Sequence, residues 1–575
     1  MKRDINDGHT LLWINRVAGK LKINIGILVA LQMILGISSV GTAMLLREIV
    51  NAAVAGEEKR FGLAVLAFIL LTAGQIIFRA AGRFFDESTR SSMENRLKKR
   101  LFSVLLTHDY AAVTRIHSGE WMNRLTSDAV IVANHITDIL PNLAGMLIRL
   151  AGAMIAILYL EPKFLYFLIP GGIILVFLTY AFRKVLKKLH KYIQETDGIL
   201  RTFLSERLSS LMIVRTFAKE EQTSCQAEGL MENHKAARMK RNHFSNFCNI
   251  GFSSAMNGMY VLGAAFCGYG ILTKSMSYGN FMAILQLIGQ VQSPFANITG
   301  ILPRYYAMLA SAERLMEAEA FHRDAEDAKS EKECTAFYHN EFCGMGLKQA
   351  AFTYQPPVQN EEGCERMPIV LHNLNLEINK GEYVVFTGTS GCGKSTILKL
   401  FLCLYELDEG ERYLITKSGH QPLTSSWRSL FAYVPQGNQL LSGSLREIIA
   451  FGDKEKMYQE EKMHQALMIA CAEEFVSGLE NGLDTVLGER GTGLSEGQMQ
   501  RIAIARAVFS DRPILLLDEA TSSLDEQTEM ELLDHLRSMT DKTVVLVTHR
   551  ATVLKICDKE IQFGEEINER RRDSV

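Results

Sequence analysis

The chain has 575 residues, 47% hydrophobic and 22% charged, a composition that excludes a disordered chain and a collagen-like fibre. Its net charge of −2 combines two unlike parts, since residues 1–318 contain 35 Lys and Arg against 22 Asp and Glu, whereas residues 319–575 contain 27 against 42. Long apolar runs interrupt the basic side chains of the first part, which excludes a nucleic-acid-binding arm. We therefore expect two kinds of domain and no nucleic-acid partner.

Six apolar stretches of residues 1–318 approach or exceed the roughly 20 residues that a helix needs to cross a bilayer. A soluble fold rarely buries six such runs, which favours an all-α membrane domain over a bundle of core helices. No small-residue cleavage site follows the first run, so we expect it to remain a span and not a signal peptide. The expected spans are residues 23–46, 61–85, 139–160, 164–182, 247–273 and 281–303.

Lys and Arg concentrate in two long connections between these spans. Residues 86–128 and 183–246 contain seven and thirteen basic side chains, whereas the three short loops on the opposite side contain five in total. Basic connections stay in the cytoplasm, so both termini and both connections are expected there. Neither connection shows strand alternation, which predicts that the spans continue as helices roughly 35–40 Å into the cytoplasm.

The character of the chain changes after residue 318. Residues 319–340 are mostly charged and small and are expected to form a linker, and residues 341–575 alternate β-branched runs with helical patterns, as an α/β domain does. The apolar run Tyr383–Gly388 leads into G-T-S-G-C-G-K-S at Gly388–Ser395, which matches G-x-x-x-x-G-K-[ST] between a strand and a helix. This pattern predicts a phosphate-binding loop, in which glycines let the backbone and the helix N-terminus surround an anion.

Side chains of this loop and of a second motif favour ATP and Mg²⁺ as ligands. Lys394 places a cation on the outer phosphates, and the Ser395 hydroxyl can bind magnesium. The run P-I-L-L-L-D-E at Pro513–Glu519 predicts a buried strand that ends in two carboxylates at the nucleotide. Asp518 is expected to hold magnesium, and Glu519 to orient and polarise the attacking water.

Leu494–Gln498 reads L-S-E-G-Q and resembles the signature sequence of ATP-binding cassette (ABC) proteins, usually L-S-G-G-Q. Other positions match further family motifs: Tyr354 the aromatic that stacks on adenine, Gln436 the glutamine that links magnesium to the membrane domain, Ser522–Asp525 the loop after the strand, and His549 the γ-phosphate histidine. Three segments resemble those that connect the membrane and nucleotide domains of exporters: Ser118–Asp128, Glu206–Glu220 and Glu489-Arg490.

The resemblance implies a half-transporter of the exporter type, with a six-helix membrane domain, long cytoplasmic helical extensions, and an α/β P-loop domain that includes a helical subdomain. It also implies a dimer, in which the phosphate loop of one subunit closes on the signature of the other. The implied ATP-binding residues are Tyr354, Gly388, Thr389, Ser390, Gly391, Cys392, Gly393, Lys394, Ser395, Thr396, Ser495, Gly497 and Gln498; the magnesium ligands are Ser395, Gln436 and Asp518; and the catalytic residues are Glu519, His549 and Gln436.

Two positions leave alternatives open. Glu496 replaces the first glycine of the signature, and a carboxylate near triphosphate is repulsive unless it points outward. For Tyr354 the alternative is an ordinary strand aromatic, because the irregular insertion Gln355–Pro368 follows it.

The expected function is an ATP-driven exporter that moves an amphipathic substrate, such as a peptide, lipid or drug, out of the cytoplasm by alternating access. The expected location is a bacterial inner or plasma membrane. Alternatives are an importer on the same fold, and an ATP-gated channel or regulatory subunit that does not pump. A homodimer is favoured because every part of one composite site occurs in this chain, although Glu496 leaves room for a heterodimer.

Arg149 is a charge within the third expected span, 11 residues before Leu160 and so roughly 16 Å from the outer end of that span. A charge inside a span is a functional candidate. Arg149 either binds an anionic substrate group, as in a peptide or lipid head group, or is a structural residue bonded to neighbouring helices. The polar side chains expected to line the cavity are Gln286, Gln290, Gln292 and Asn297.

Overall fold

The computed structural model describes residues 7–324, 327–354, 369–437, 440–453, 455–488, 493–550, 552–555, 557–564 and 568–571. Side chains are described over the same ranges except at residues 165, 167–184, 186–187, 293, 295–299, 302 and 568–571. The chain forms two compact units, one from Met1–Lys99 and Arg124–Leu315, the other from Arg100–Asn123 and Met316–Val575.

The first unit is helical, because its long apolar stretches satisfy their backbone hydrogen bonds within each helix. Among the described residues, four helical stretches are long and apolar enough to cross a membrane: Leu21–Ala55, Glu58–Thr107, Ser118–Leu160 and Glu220–Leu272. The helices up to the start of the second domain are α1 (Asp7–Ala18), α2 (Leu21–Ala55), α3 (Glu58–Thr107), α4 (Tyr110–Thr114), α5 (Ser118–Asn123), α6 (Ala129–Leu160), α7 (Leu165–Ser209), α8 (Leu211–Thr216), α9 (Glu220–Leu272) and α10 (Tyr278–Glu319).

These helices extend well beyond the expected spans, as predicted. α3 continues 22 residues past residue 85, to Thr107, and α9 begins at Glu220, 27 residues before residue 247. The expected fourth and sixth spans, residues 164–182 and 281–303, fall in α7 and α10, and part of each lies outside the described side chains. The number of six spans therefore stays a prediction.

Two glycines let α2 and α6 cross in close contact. A Cβ atom on Gly36 would lie 2.9 Å from the carbonyl oxygen of Gly145, and one on Gly145 would lie 3.0 Å from the carbonyl oxygen of Gln32. Small residues of this kind allow membrane helices to approach closely. Ser39 and Gln290 hydrogen-bond each other, which connects α2 to α10.

The second unit has two main sheets. One is antiparallel with strand order β2-β1-β4-β5, and the other is mostly parallel with order β12-β11-β3-β10-β9-β6. A third pair joins β7 to β8. The strands are β1 (Phe342–Phe352), β2 (Leu371–Asn379), β3 (Tyr383–Gly388), β4 (Glu409–Thr416), β5 (Gly419–Pro422), β6 (Phe431–Val434), β7 (Gly443–Ser444), β8 (Val486–Leu487), β9 (Ile514–Asp518), β10 (Thr543–Val547), β11 (Lys559–Phe563) and β12 (Asn568–Arg571).

The central strands β3, β9 and β10 of the parallel sheet consist mainly of buried apolar residues, as expected for parallel strands enclosed on both faces. The expected strands within Tyr383–Gly388 and Pro513–Glu519 are both present as β3 and β9. The helices of this domain are α11 (Glu331–Asn340), α12 (Lys394–Phe401), α13 (Leu445–Ile449), α14 (Glu460–Ile469), α15 (Glu473–Ser477), α16 (Glu496–Phe509) and α17 (Glu526–Arg537).

The segment 319–340, expected to be a linker, contains the helix α11. Ser330 and Glu333 form a capping box at its N-terminus, which satisfies backbone donors there. Cys334 and Tyr338, one turn apart, are fully buried in the domain core. A helix with only two buried positions has too few apolar residues for a periodic pattern, which explains why the segment resembled a linker.

Residues 100–123 belong to the same compact unit as the ATP-binding domain, although they lie far from it in sequence. The Asp109 N–H donates to the carbonyl of His322 at 2.9 Å, and the Asp324 N–H donates to the carbonyl of Thr107 at 3.0 Å. The ring of Tyr110 meets the edge of Tyr405 at a centroid distance of 5.8 Å. The spatial domain therefore includes α4 and α5.

Candidate nucleotide-binding site

The predicted phosphate loop leaves β3 at Gly388 and enters α12 at Lys394. Gly388, Gly391 and Gly393 have φ angles of 136°, 86° and 96°, a region that favours glycine. A Cβ atom on Gly388 would lie only 2.2 Å from the carbonyl oxygen of Phe563. The backbone can therefore turn tightly at the N-terminus of α12, where free N–H groups and the helix dipole favour an anion.

The ammonium group of Lys394 is folded back onto this loop. It donates hydrogen bonds to the carbonyl oxygens of Gly388 and Thr389, both at 2.9 Å, and lies 3.6 Å from Cys392 Sγ. Lys394 is only 5% exposed. A buried cation at the N-terminus of a helix is unfavourable by itself, because the dipole there is also positive. The arrangement suits a polyphosphate, whose negative charge would neutralise both the ammonium group of Lys394 and the positive end of the helix dipole.

Asp518 ends β9 directly beside this loop and is 1% exposed. Its Oδ1 accepts a hydrogen bond from Ser395 Oγ at 2.8 Å, and its Oδ2 accepts one from the Tyr433 hydroxyl at 3.2 Å. Burial raises the pKa of Asp518, and the two hydroxyl groups oppose that shift only in part. A buried carboxylate held by neutral hydroxyls is a suitable ligand for a hard cation such as Mg²⁺, which prefers oxygen donors.

Glu519 follows with its backbone in the left-handed region, at a φ of 49°. Its N–H donates to the carbonyl of Val547 at 3.0 Å, which attaches it to the end of β10. Gln436 Nε2 donates to Glu519 Oε2 at 2.8 Å, and His549 Nε2 lies 3.6 Å from Glu519 Oε1. The structure thus brings all three predicted catalytic side chains together, next to Ser395 and Asp518.

Tyr354 follows β1 and lies beside the helix of the phosphate loop. Its hydroxyl hydrogen-bonds with Thr396 Oγ1 at 3.0 Å. Its ring packs edge-on against Phe352 and Tyr405, with centroid distances of 4.9 and 5.3 Å. The position suits contact with a nucleotide, and the stacking of adenine on Tyr354 stays a prediction.

The signature residues begin α16. Ser495 and Gln498 form a capping box there, with the Ser495 hydroxyl accepting from the Gln498 N–H and the Gln498 side chain accepting from the Ser495 N–H. Glu496 is exposed to solvent. A Cβ atom on Gly497 would lie 2.9 Å from the carbonyl oxygen of Ser523. Glycine is therefore required for close packing at position 497, whereas position 496 tolerates a side chain.

Two residues absent from the prediction hold the loop Ser522–Asp525 in place. Gln500, on α16, donates to the Ser522 and Ser523 hydroxyls and accepts from the Ser523 N–H. Arg550, next to His549, donates to the carbonyl oxygens of Ser522 and Leu524 at 2.7 and 2.8 Å. Both Gln500 and Arg550 are distant in sequence from the loop that they contact, so no local motif indicated these hydrogen bonds.

Some of the other predicted residues lie apart from the phosphate loop, and some lie outside the residues that the structure describes. Over the described ranges, no hydrogen bond or ion pair joins Ser495, Gly497 or Gln498 to the phosphate loop. Glu489-Arg490 and the side chain of Asn297 lie outside the described residues. One residue that was not predicted, Tyr433, donates a hydrogen bond to the predicted magnesium carboxylate, and its place three residues before Gln436 was the available sequence signal.

Comparison with known proteins identifies both domains. A family model described as ABC transporter transmembrane region matches residues 25–295, and one described as ABC transporter matches residues 371–522. The uncharacterized ABC transporter ATP-binding protein YwjA of Bacillus subtilis (strain 168) is 29% identical over 475 residues, 81% of this chain and 79% of that protein. An ATP-dependent lipid A-core flippase of Mannheimia succiniciproducens is 28% identical over 480 residues, 82% of this chain and 78% of that protein.

The structural comparison agrees in fold. A bacterial Atm1-family ABC exporter solved with ATP bound superposes with a TM-score of 0.78, covering 96% of this chain and 95% of that chain at 21% identity. The matched fold spans both the helical membrane domain and the α/β domain that carries the site. The chain therefore belongs to the ABC transporters, as an exporter-type half-transporter with an ATPase domain coupled to transport.

Proposed function

We propose that this exporter moves an amphipathic substrate, such as a peptide, lipid or drug, out of the cytoplasm by alternating access. The observation that carries the proposal is the contact of Gln436 and His549 with Glu519, beside the pair Ser395–Asp518. A regulatory subunit that does not pump would not need this catalytic arrangement. The relatives named as a flippase and an exporter support export over import.

Within this proposal each predicted residue has a role at the nucleotide. The loop Gly388–Thr396, with Lys394, binds the phosphates, and Tyr354 packs on adenine. Ser395, Gln436 and Asp518 would hold Mg²⁺, which neutralises phosphate charge when bound. Glu519 accepts a proton from the attacking water and polarises it, while His549 donates to the γ-phosphate.

The half-transporter fold implies a dimer, and we propose a homodimer. Ser495 and Glu496 are exposed at the start of α16, where a phosphate loop from a second copy can approach them. Apolar side chains of Glu206–Glu220, one of the segments that resemble the domain connections of exporters, are also exposed, including Met212 at 82% and Phe217 at 71%. Exposed apolar residues of this kind favour a protein contact, and a second ATP-binding domain is the expected partner.

The proposed membrane is the bacterial inner or plasma membrane, with both termini and the ATP-binding domain in the cytoplasm. The support is the excess of Lys and Arg in segments 86–128 and 183–246 over the short loops. ATP is available on that side, as the site requires.

Arg149 supports a substrate with an anionic group. Its backbone nitrogen lies 3.4 Å from the Cβ position of Gly36, near the middle of α2. Its Nε atom is buried, and no described residue accepts a hydrogen bond from it. A guanidinium at this depth is costly unless it is paired, and a phosphate or carboxylate of the substrate would pair with it. The name of the lipid A-core flippase relative makes a lipid one reasonable candidate.

ATP-driven uptake into inside-out membrane vesicles tests the proposed function. Vesicles that contain the chain should accumulate at least one compound from a panel of peptides, lipids and dyes when ATP is added, and vesicles with the Glu519→Gln variant should not. Uptake only into right-side-out vesicles that are loaded with ATP would indicate import. Continuous ATP hydrolysis without any uptake in either orientation would contradict transport of these substrate classes.

A further inference from the structure

Tyr433 lies on β6, three residues before Gln436, and its side chain reaches the predicted magnesium site from the neighbouring strand. β6 runs parallel to β9, with Tyr433 paired to Leu516. Paired residues of parallel strands point to the same face, and residues two apart on a strand do so as well. Tyr433, Leu516 and Asp518 therefore share the face that α12 covers, which explains how the phenol reaches Asp518.

The two hydrogen bonds of Asp518 act on different oxygens. Ser395 donates to Oδ1 at 2.8 Å, and Tyr433 donates to Oδ2 at 3.2 Å. A carboxylate held through one oxygen can still rotate about its Cβ–Cγ bond, whose torsion is broad. The second donor removes that freedom, and it leaves Oδ1 turned toward the Ser395 hydroxyl, the other predicted magnesium ligand.

The surroundings hold the Tyr433 ring in place. Tyr433 is half-buried and packs against the core that contains Phe431, Phe401 and Leu516.

We propose that Tyr433 is a positioning residue for magnesium: its hydroxyl fixes the plane of the Asp518 carboxylate so that Oδ1 and the Ser395 hydroxyl face the cation together. The inference rests on the proposed ATP and magnesium site and adds a residue to it. Mutation of a residue that hydrogen-bonds to a metal ligand, without binding the metal itself, commonly lowers metal affinity on the order of 10- to 100-fold. Because the Tyr433 hydroxyl is a neutral donor at the long distance of 3.2 Å, we expect the low end of that range.

The variant Tyr433→Phe removes only the hydroxyl and keeps the packed ring. In the purified full-length protein, carrying Glu519→Gln to prevent turnover, binding of a fluorescent N-methylanthraniloyl derivative of ATP is titrated in Mg²⁺ and in EDTA. We expect unchanged affinity in EDTA and a smaller gain in affinity from Mg²⁺. With Glu519 intact, the Mg²⁺ concentration for half-maximal ATPase activity should rise on the order of tenfold.

Tyr413→Phe is the matched control, because Tyr413 also donates to a carboxylate, Glu377 Oε1 at 2.8 Å, but on β4 of the antiparallel sheet. It should leave both magnesium readouts at their original values. In an Asp518→Asn background, Tyr433→Phe should change nothing further, since the group that it orients has lost its charge.

Three outcomes would overturn the inference. The first is a Tyr433→Phe protein with the original thermal unfolding midpoint and the original magnesium dependence. The second is an equal loss of affinity in EDTA and in Mg²⁺, which would indicate a general packing role. The third is a parent protein whose ATP binding does not respond to Mg²⁺, which would overturn the proposed magnesium site and this inference with it.

Discussion

The carboxylate of Glu519 accepts a hydrogen bond from the side-chain amide of Gln436 at 2.8 Å. Glu519 has a φ of 49°, and a non-glycine residue in such a conformation costs roughly 1–3 kcal/mol. The hydrogen bond from its N–H to Val547 helps to hold it there. The fold therefore gives up some stability to orient the Glu519 carboxylate, which fits a role for this residue in the reaction.

Replacing Glu519 with Gln should abolish most ATP hydrolysis while ATP binding remains. Gln keeps the shape of the side chain but loses the charge that accepts a proton, and general-base catalysis contributes on the order of 10²–10⁴-fold. Phosphate release and ATP affinity measured on the same protein would separate the two effects. Glu411→Gln, the same substitution at an exposed position of β4 in the antiparallel sheet, is the control and should keep full activity. Near-normal turnover by Glu519→Gln would exclude Glu519 as the catalytic base.

Lys394→Ala should weaken ATP binding itself. A hydrogen bond to a charged group contributes roughly 1.5–3 kcal/mol, which corresponds to an increase in Kd of about 10- to 100-fold. The loss includes the hydrogen bonds from Lys394 to the Gly388 and Thr389 carbonyls, which stabilise the conformation of the loop. Lys417→Ala, which removes an exposed lysine from the turn between β4 and β5, should leave the Kd unchanged. An unchanged Kd for Lys394→Ala would contradict the assignment.

Gly497→Ala should impair hydrolysis, whereas Glu496→Ala should not. The added methyl group at position 497 would lie 2.9 Å from the Ser523 carbonyl, so the loop Ser522–Asp525 must move. Overpacking of this kind typically costs about 1–3 kcal/mol, and a lower thermal unfolding midpoint should accompany the lower ATPase rate. Equal activity of the two variants would show that the close approach at Gly497 has no functional consequence.

Arg149→Ala distinguishes the two roles of this residue. If Arg149 pairs with a substrate anion, the variant should lose stimulation of ATPase by the transported compound and keep basal activity and stability. Arg149→Lys keeps the charge and should retain part of the stimulation. If Arg149 is structural, the thermal unfolding midpoint of Arg149→Ala should fall instead. Unchanged stimulation and unchanged stability together would exclude both roles.

Homodimer formation can be tested with the purified chain alone. It should hydrolyse ATP with positive cooperativity, because two equivalent sites close together. In a Glu519→Gln background that also lacks the native cysteines, among them Cys392 of the phosphate loop, cysteines introduced at Ser390 and at Glu496 should form an intermolecular disulfide that increases with ATP, and either single cysteine variant should not form it. Inactivity of the isolated chain, with recovery when a second half-transporter is added, would indicate a heterodimer.

The features that could be predicted are those encoded locally. The phosphate loop, its strand and its helix lie within Tyr383–Phe401, and the structure places them where the motif does. Asp518 and Glu519 were predictable for the same reason, because two acids end a continuous apolar strand. The contacts of Tyr433 and Arg550 were not, since their partners lie 85 and 26–28 residues away and depend on strand order.

The helix α11 shows a different limit. The capping residues Ser330 and Glu333 form a recognisable S-x-x-E pattern, but no apolar run follows them. Tertiary contacts of Cys334 and Tyr338, not helical periodicity, stabilise this helix in the domain core. The boundary drawn from composition, near residue 318, is close to Leu315 but omits residues 100–123 from the second unit.

The position of residues 100–123 has a consequence for biosynthesis. Tyr110 and Asp109 leave the ribosome long before Tyr405 and His322, their partners in the finished domain. The helix α4 is therefore synthesised first and remains without these partners until the rest of the chain has been translated. The ATP-binding domain reaches its final surface only when both parts have been made. A fragment expressed from residue 319 onward would leave the ring of Tyr405 without Tyr110, and supplying residues 100–123 as a separate peptide should restore that surface.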